Sequence, residues 1–240
     1  MKPLKSAVYY ECATKFKVIG IFYAIQYSIV ALITVLIGIL MGNFEDGGTS
    51  CLEMNSLIFV GIFGILGFKE DFKMLLQNGF TRVYIFFATF CWFAFMSGFM
   101  ALADTILGNV LHDLLPRYFS MYGSLYGYGH YLSNWAWLTL IYLSVCSLFY
   151  LAILIVNKLG KIYALYTAVI FGGILLLAVA LFRYVLSART IGRIVRFLMG
   201  AMGFASDGVI YYLNPLITFF ILAACFSLIA YAIIRRTELK

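Results

Sequence analysis

Apolar residues along the chain gather into six long runs, separated by short polar stretches. The runs are about Val18–Met41, Met54–Phe68, Val83–Ala103, Trp135–Val156, Ile162–Phe182 and Pro215–Ile234. A helix of about 20 apolar residues crosses the hydrocarbon core of a bilayer. The second run reaches that length only with Cys51 and Leu52 or by continuing into the charged stretch after it. The runs do not alternate as barrel strands do, so the pattern predicts an all-α polytopic membrane protein with six transmembrane helices.

Composition and charge agree with this class of protein. The chain has 240 residues, of which 64% are hydrophobic and 11% charged, whereas a soluble domain carries about 25% charged residues. The first run is too long and begins too late for a cleaved signal peptide. The net charge of +7 indicates a bias toward the membrane surface and no nucleic-acid partner.

The distribution of Lys and Arg predicts the orientation, because cytoplasmic loops carry an excess of these residues. With the N-terminus inside, 12 of the 17 basic residues lie in the cytoplasm and 5 outside. The sequence therefore predicts a multi-pass protein of the cell membrane with both termini in the cytoplasm.

Before the first run, residues 1–17 carry apolar side chains at helical spacing, such as Leu4, Val8 and Cys12. This pattern favours an amphipathic helix on the inner leaflet; a frayed terminus is the alternative.

A second two-faced element, "KEDFKMLLQNG" at residues 69–79, lies between the second and third runs. Glu70 and Asp71 suit the first turn of a helix, and Asn78-Gly79 suits its end. The sequence predicts a short helix whose apolar side docks onto a partner. Floating on the lipid surface is the alternative.

On the outer side, two connections are long. The connection from Asp104 to Asn134 predicts a helical extension that breaks near Pro116, followed by an ordinary hydrated loop. In residues 187–212, Arg189, Arg193 and Arg196 share one helical face, and a flexible break containing Asp207 follows. A re-entrant or interfacial hairpin is predicted here, with a surface-lying amphipathic helix as the alternative.

Signatures of catalysis and metal binding are missing from the sequence. There is no GxSxG, HExxH, GxxxxGK[ST] or CxxC motif, so we predict no enzyme and no metal site. Asp104 and Arg183 are interpreted as helix ends, and no paired intramembrane carboxylates are expected. A proton- or sodium-coupled carrier would need a mid-membrane carboxylate, so the chain is not expected to drive transport by itself.

Glycine spacing suggests where helices approach closely. Gly38 and Gly42 form a GxxxG step, which suits a dimer seam. In the second run, Gly61, Gly64 and Gly67 provide either close packing or a bend.

The order of these elements resembles the permease subunits of type-two ATP-binding-cassette exporters, over essentially the whole chain. The most specific stretch, "FKMLLQNGFTRVYIF" at Phe72–Phe86, is similar to Gram-positive members that handle peptides or antibiotics. The outer connection after the third run is longer than in a minimal member.

By resemblance, residues 69–79 would be the coupling helix on a separate ATPase, and residues 1–17 a connecting helix that braces it. The implied coupling residues are Lys69, Glu70, Asp71, Phe72, Lys73, Met74, Leu75, Leu76, Gln77, Asn78, Gly79 and Arg82. The implied outer gate contains Arg189, Arg193, Arg196 and Asp207. Spans one and five would meet a second permease, identical or paralogous.

The resemblance implies export of an amphipathic or hydrophobic substrate, such as a peptide, a bacteriocin, an antibiotic or a lipid-like molecule. ATP and Mg would bind the partner ATPase, and this chain itself would hold no cofactor. The alternative is the membrane-embedded substrate-binding subunit of a vitamin-type importer, which should lack an ATPase-docking inner helix.

Overall fold

The structure, a computed structural model, describes residues 2–41, 50–69, 71–115, 117–184, 187–204 and 208–235. All regular elements in these ranges are helices, apart from an isolated bridge between Phe204 and Ile210. They are α1 (Lys2–Met41), α2 (Glu53–Lys69), α3 (Asp71–Gln77), α4 (Arg82–Leu114), α5 (Met121–Tyr126), α6 (Tyr131–Leu159), α7 (Lys161–Tyr184), α8 (Ala188–Ala201) and α9 (Leu213–Ile234). The predicted all-α class is confirmed.

Four helices are long and apolar enough to cross a membrane: the Phe16–Leu40 part of α1, α4, α6 and α9. The chain is therefore a membrane protein by the length and composition of its helices. Apolar stretches at Glu53–Phe68 and Gly172–Phe182 are shorter, so the second and fifth predicted spans stay predictions. Cys51 does not lengthen the helix of the second predicted span. It adopts a left-handed backbone with φ of 55°, and α2 begins after it.

The bundle is built around α6, which packs against α2, α4 and α9. Its core is aromatic and aliphatic, because each of these helices turns large side chains toward the same interior. The largest fully buried side chains are Trp92, Tyr142, Phe72, Phe93, Ile19, Ile85, Met96, Met100, Leu138, Leu154 and Ile234.

Close packing explains the glycines of α2. A Cβ atom on Gly64 would lie 2.5 Å from the carbonyl oxygen of Cys146, and one on Gly67 would lie 2.8 Å from the Phe93 ring. Gly61 similarly faces Phe149 at 3.1 Å. Of the two roles left open by the sequence, the structure shows helix-to-helix approach.

The two ends of the bundle differ in what covers them. At one end, which we call the α3 end, α3 lies beside α2 and α4, and Arg82 Nη1 donates to the backbone oxygen of Arg235 at 3.4 Å. At the other, the α8 end, lie α5, α8 and the first turns of α2, α6 and α9. There the Tyr126 hydroxyl donates to the Met202 carbonyl at 2.8 Å.

The N-terminal segment is the beginning of α1, which runs unbroken from Lys2 to Met41, and not a separate helix. In α1, the Phe16 ring lies 4.9 Å from Phe99, and the Tyr23 hydroxyl donates to the Met100 carbonyl at 3.0 Å. Phe99 lies about 25 Å along α4 from Arg82. The contacts of Phe16 thus lie far from the α3 end, so the bracing role of residues 1–17 stays a prediction.

Candidate functional site

The predicted coupling segment folds as a short helix with the predicted stop. Gly79 has a φ of 81°, and its amide bonds the Leu76 carbonyl while the Phe80 amide bonds the Leu75 carbonyl, both at 3.1 Å. These two bonds form a Schellman motif, in which glycine adopts the left-handed conformation after the last helical residue. The Asn78-Gly79 stop is confirmed.

The apolar side of α3 packs against its own chain. Phe72 is 1% exposed and Leu75 is 3% exposed, and the Phe72 ring stacks on Phe68 at 4.9 Å. Leu76 and Phe80 pack at the edge of the same core. Phe72 and Leu75 therefore anchor α3 to the bundle and leave no surface of their own for a second protein.

The surface that α3 presents lies at its C-terminal tip. Gln77, Asn78 and Gly79 are exposed, and Arg82 is half-buried where it bonds the end of α9. Glu70, and the side chains of Lys69, Asp71, Lys73 and Met74, lie outside the described residues. The described tip, Gln77–Gly79, is the part of the predicted coupling segment that a partner could reach.

At the opposite end, α8 is an amphipathic helix on the surface. Ser187 caps it by accepting the Thr190 amide, and Arg189, Arg193 and Arg196 are all exposed. Val195, Leu198 and Met199 on the apolar side are exposed as well, and so is Phe197, which follows Arg193 by one turn. None of the residues of α8 is buried.

The exposed apolar side chains of α8 suit lipid contact in either arrangement, so the re-entrant hairpin and the surface-lying helix both stay predictions. Asn214 Nδ2 and Thr218 Oγ1 tie the end of α8 to α9 by donating to the carbonyls of Gly200 and Ala201, each at 3.0 Å. Asp207 lies outside the described residues.

The predicted dimer seam lies partly outside the described residues. Gly38 is buried and Gly42 lies outside the described residues, so the GxxxG contact stays a prediction.

A buried acidic cluster, which sequence reasoning missed, lies near the α8 end. Glu53 opens α2 and Asp104 lies in α4, and each is 2% exposed. The Tyr142 hydroxyl of α6 donates to Asp104 Oδ2 at 2.6 Å and lies 3.5 Å from the Glu53 carbonyl oxygen. The Met121 amide donates to Glu53 Oε1 at 3.2 Å. Four parts of the chain therefore meet at the two carboxylates.

Neutral polar groups surround the cluster. Ser56 of α2 and Tyr23 of α1 lie beside Asp104, and Tyr118 lies beside Glu53. Glu53 fits because α4 has no side chain at Gly108, where a Cβ would lie 3.5 Å from Glu53 Oε1.

One oxygen of each carboxylate has no hydrogen-bond partner within the part of the chain that the structure describes. These atoms are Glu53 Oε2 and Asp104 Oδ1. The buried Ser56 Oγ also has no hydrogen-bond partner among the described residues. Buried polar groups are normally paired, so these three atoms are candidates for a further hydrogen bond.

The sequence did not lead us to expect two buried carboxylates near each other, and the structure buries Glu53 and Asp104 together inside the bundle. Glu53 looked like a residue of the outer loop, and Asp104 looked like a helix end. In the structure α4 continues past Asp104 to Leu114, and packing of α2 against α4 joins two residues that are far apart in sequence. The available signal was an aspartate followed by further helical, largely apolar sequence.

Burial also affects two groups that border the cluster outside the helices. Burial, and then the Glu53 carboxylate, raise the pKa of the Cys51 thiol and the pKa of the Tyr118 phenol. Both groups are already mainly neutral at physiological pH at their ordinary pKa values, and the upward shift lowers their ionised fraction further.

The histidines of the outer connection take part in aromatic packing. His112 stacks on Tyr128 with ring centres 3.6 Å apart, and its Nδ1 lies 2.8 Å from the Tyr118 carbonyl oxygen. Within the described ranges, no group of three or more His, Cys, Asp or Glu side chains could hold a metal ion.

Comparison with known proteins adds no family to these observations: no family model, no curated protein and no solved structure matches the chain.

Proposed function

We propose that the chain is the membrane-spanning permease subunit of an ATP-binding-cassette exporter of the cell membrane. The observation that carries the proposal is α3, a short helix anchored by Phe72 and Leu75 with its capped tip exposed. A connection between two spans needs only a turn. A helix held this firmly suits the transfer of movement from a second protein to the bundle.

The anchoring gives the coupling a physical route. Phe72 stacks on Phe68 of α2, and α3 also lies against α4. Because packed interiors transmit displacement rather than absorb it, a partner that moves the tip at Gln77–Gly79 would carry the adjoining ends of α2 and α4 with it. The driving free energy would come from ATP and Mg on the partner ATPase.

A second permease would complete the path for the substrate. Side chains such as Ile25 and Ile29 of α1, and Leu177 of α7, are more than half exposed. These apolar faces suit lipid or a second permease, identical or paralogous. The substrate would be amphipathic or hydrophobic, in keeping with few charges along the spans. The importer alternative does not require an anchored helix such as α3.

Co-expression with an ATP-binding-cassette ATPase encoded beside this chain tests the proposal. The wild type should co-purify with the ATPase and raise its ATP turnover. Gln77→Lys should lower the affinity for the ATPase and the stimulation of ATP turnover by about tenfold each, because a charge at a rim contact alters association. Arg193→Gln, at the α8 end, is the matched control and should behave as the wild type. A wild type that neither binds nor stimulates the ATPase would contradict the proposal.

A further inference from the structure

In the described part of the chain, the groups that act most strongly on the two acids of the cluster include no positive side chain. Within the described part of the chain, Asp104 faces Tyr142, Ser56, Tyr23 and Glu53, while Glu53 faces Asp104 and the Met121 amide. Around these lie Tyr27, Tyr118 and Cys51. Every facing group other than the two acids is a neutral hydroxyl, thiol or amide.

Two ionised carboxylates are not stable in such a place. An isolated buried carboxylate costs so much free energy that the group becomes neutral instead. Two carboxylates in one site add mutual repulsion, and one of them keeps its proton. The membrane helices around them exclude the water that would otherwise screen the charges.

The hydrogen bonds of the two acids indicate which oxygens could carry that proton. The Tyr142 hydroxyl donates to Asp104 Oδ2, and the Met121 amide donates to Glu53 Oε1. The other oxygen of each acid, Oδ1 and Oε2, is buried without a partner. A protonated carboxyl both donates and accepts, so a proton on either oxygen lets that oxygen donate a hydrogen bond to a neighbouring acceptor.

We propose that Glu53 and Asp104 form a proton-binding site that keeps the α8 end of the bundle closed. With one proton bound, α1, α2, α4, α6 and the Met121 segment stay together around the pair. Loss of that proton would leave two like charges in an apolar pocket and separate α2 from α4. The site is independent of the proposed ATPase coupling, since it lies at the opposite end from α3.

Infrared spectroscopy of the full chain in a detergent without carbonyl groups tests the site directly, because an un-ionised carboxylic acid then has its own carbonyl band. We expect this band in the wild type at neutral pH. It should be absent from the double variant E53Q/D104N, which preserves the shape of both side chains. D113N, which changes an exposed acid on the same helix, is the control and should retain the band.

Two further measurements complete the test. The wild type should lose thermal stability as pH rises from the acidic range to neutral, since over that range the folded chain holds a proton that the unfolded chain has released; E53Q/D104N should not show this decline. Replacing K⁺ by Na⁺ at constant pH should leave the band unchanged. A wild type without the band, a double variant that keeps it, or a band removed by Na⁺ would each overturn the proposal, the last in favour of a metal cation.

Discussion

The two ends of the bundle are held together by opposite chemistry. At the α3 end, Phe72 and Leu75 are buried and the polar residues Gln77 and Asn78 are exposed, as in an ordinary globular core. At the α8 end, the charged residues Glu53 and Asp104 are buried while α8 leaves its apolar side chains exposed. The comparison teaches that apolar burial holds the α3 end together, whereas at the α8 end the proposed proton site makes stability depend on pH.

The largest effect is expected where apolar burial is most complete. Phe72→Ala should lower the free energy of unfolding by about 3 kcal/mol, because it removes a buried ring and leaves a cavity. Gln77→Ala, one and a half turns further along the same helix, should leave stability unchanged. Thermal unfolding followed by size-exclusion chromatography measures both. Equal stability of the two variants would mean that α3 is not anchored.

The next effect is expected in the acidic cluster. Tyr142→Phe removes the donor to Asp104 and should lower the free energy of unfolding by about 2 kcal/mol, since bonds to charged or partly charged groups are the stronger ones. Tyr131→Phe, on an exposed residue of the same helix, is the control. If the two variants unfold at the same temperature, the hydrogen bond to Asp104 does not hold α4 against α6.

Local features of both ends could be predicted from the sequence. The apolar runs predicted helices. Asn78-Gly79 predicted the end of α3, because the turn that ends this helix needs a residue with a left-handed backbone, which glycine adopts readily. The predicted break near Pro116 agrees with the end of α4 at Leu114. Each of these signals lies within a few residues of the structure it predicts.

Contacts between distant segments could not be predicted in the same way. The periodicity of α3 shows that Phe72 and Leu75 share a side, but it does not show whether a partner or the same chain covers that side. Glu53 and Asp104 come together only because α2 and α4 pack against each other. Likewise, the spacing of the arginines of α8 predicts a two-faced helix but does not predict how deeply that helix lies in the membrane.

A pH-dependent difference is expected between cysteines at the two ends. The pKa of the Cys51 thiol is raised by burial and by Glu53, so less of it is the reactive thiolate at pH 7. Two variants are compared: one keeps Cys51 as its single cysteine, and the other has Gln77→Cys as its single cysteine. Cys51 should react more slowly with a small aqueous thiol reagent than the cysteine at position 77. The difference between the two reaction rates should become smaller as pH rises, because a larger fraction of the Cys51 thiol ionises. Equal rates at pH 7 would be inconsistent with the half-buried environment of Cys51 beside Glu53.

The smallest effect on stability is expected from the arginines of α8. Replacing Arg189, Arg193 and Arg196 by Gln should change the free energy of unfolding by less than about 0.5 kcal/mol per site, because exposed substitutions away from packed features do little. The same thermal assay measures this effect. A large loss of stability would show that α8 is buried in the membrane-embedded protein, as the re-entrant prediction requires.

Site-specific photo-cross-linking tests the central claim most directly. A photoreactive amino acid is placed at Gln77 or, in a separate variant, at Arg193, and each variant is irradiated in its complex with the ATPase. The account predicts a cross-link to the ATPase from position 77 and none from position 193. An intact complex that cross-links from position 193, or that gives no cross-link from position 77, would contradict it.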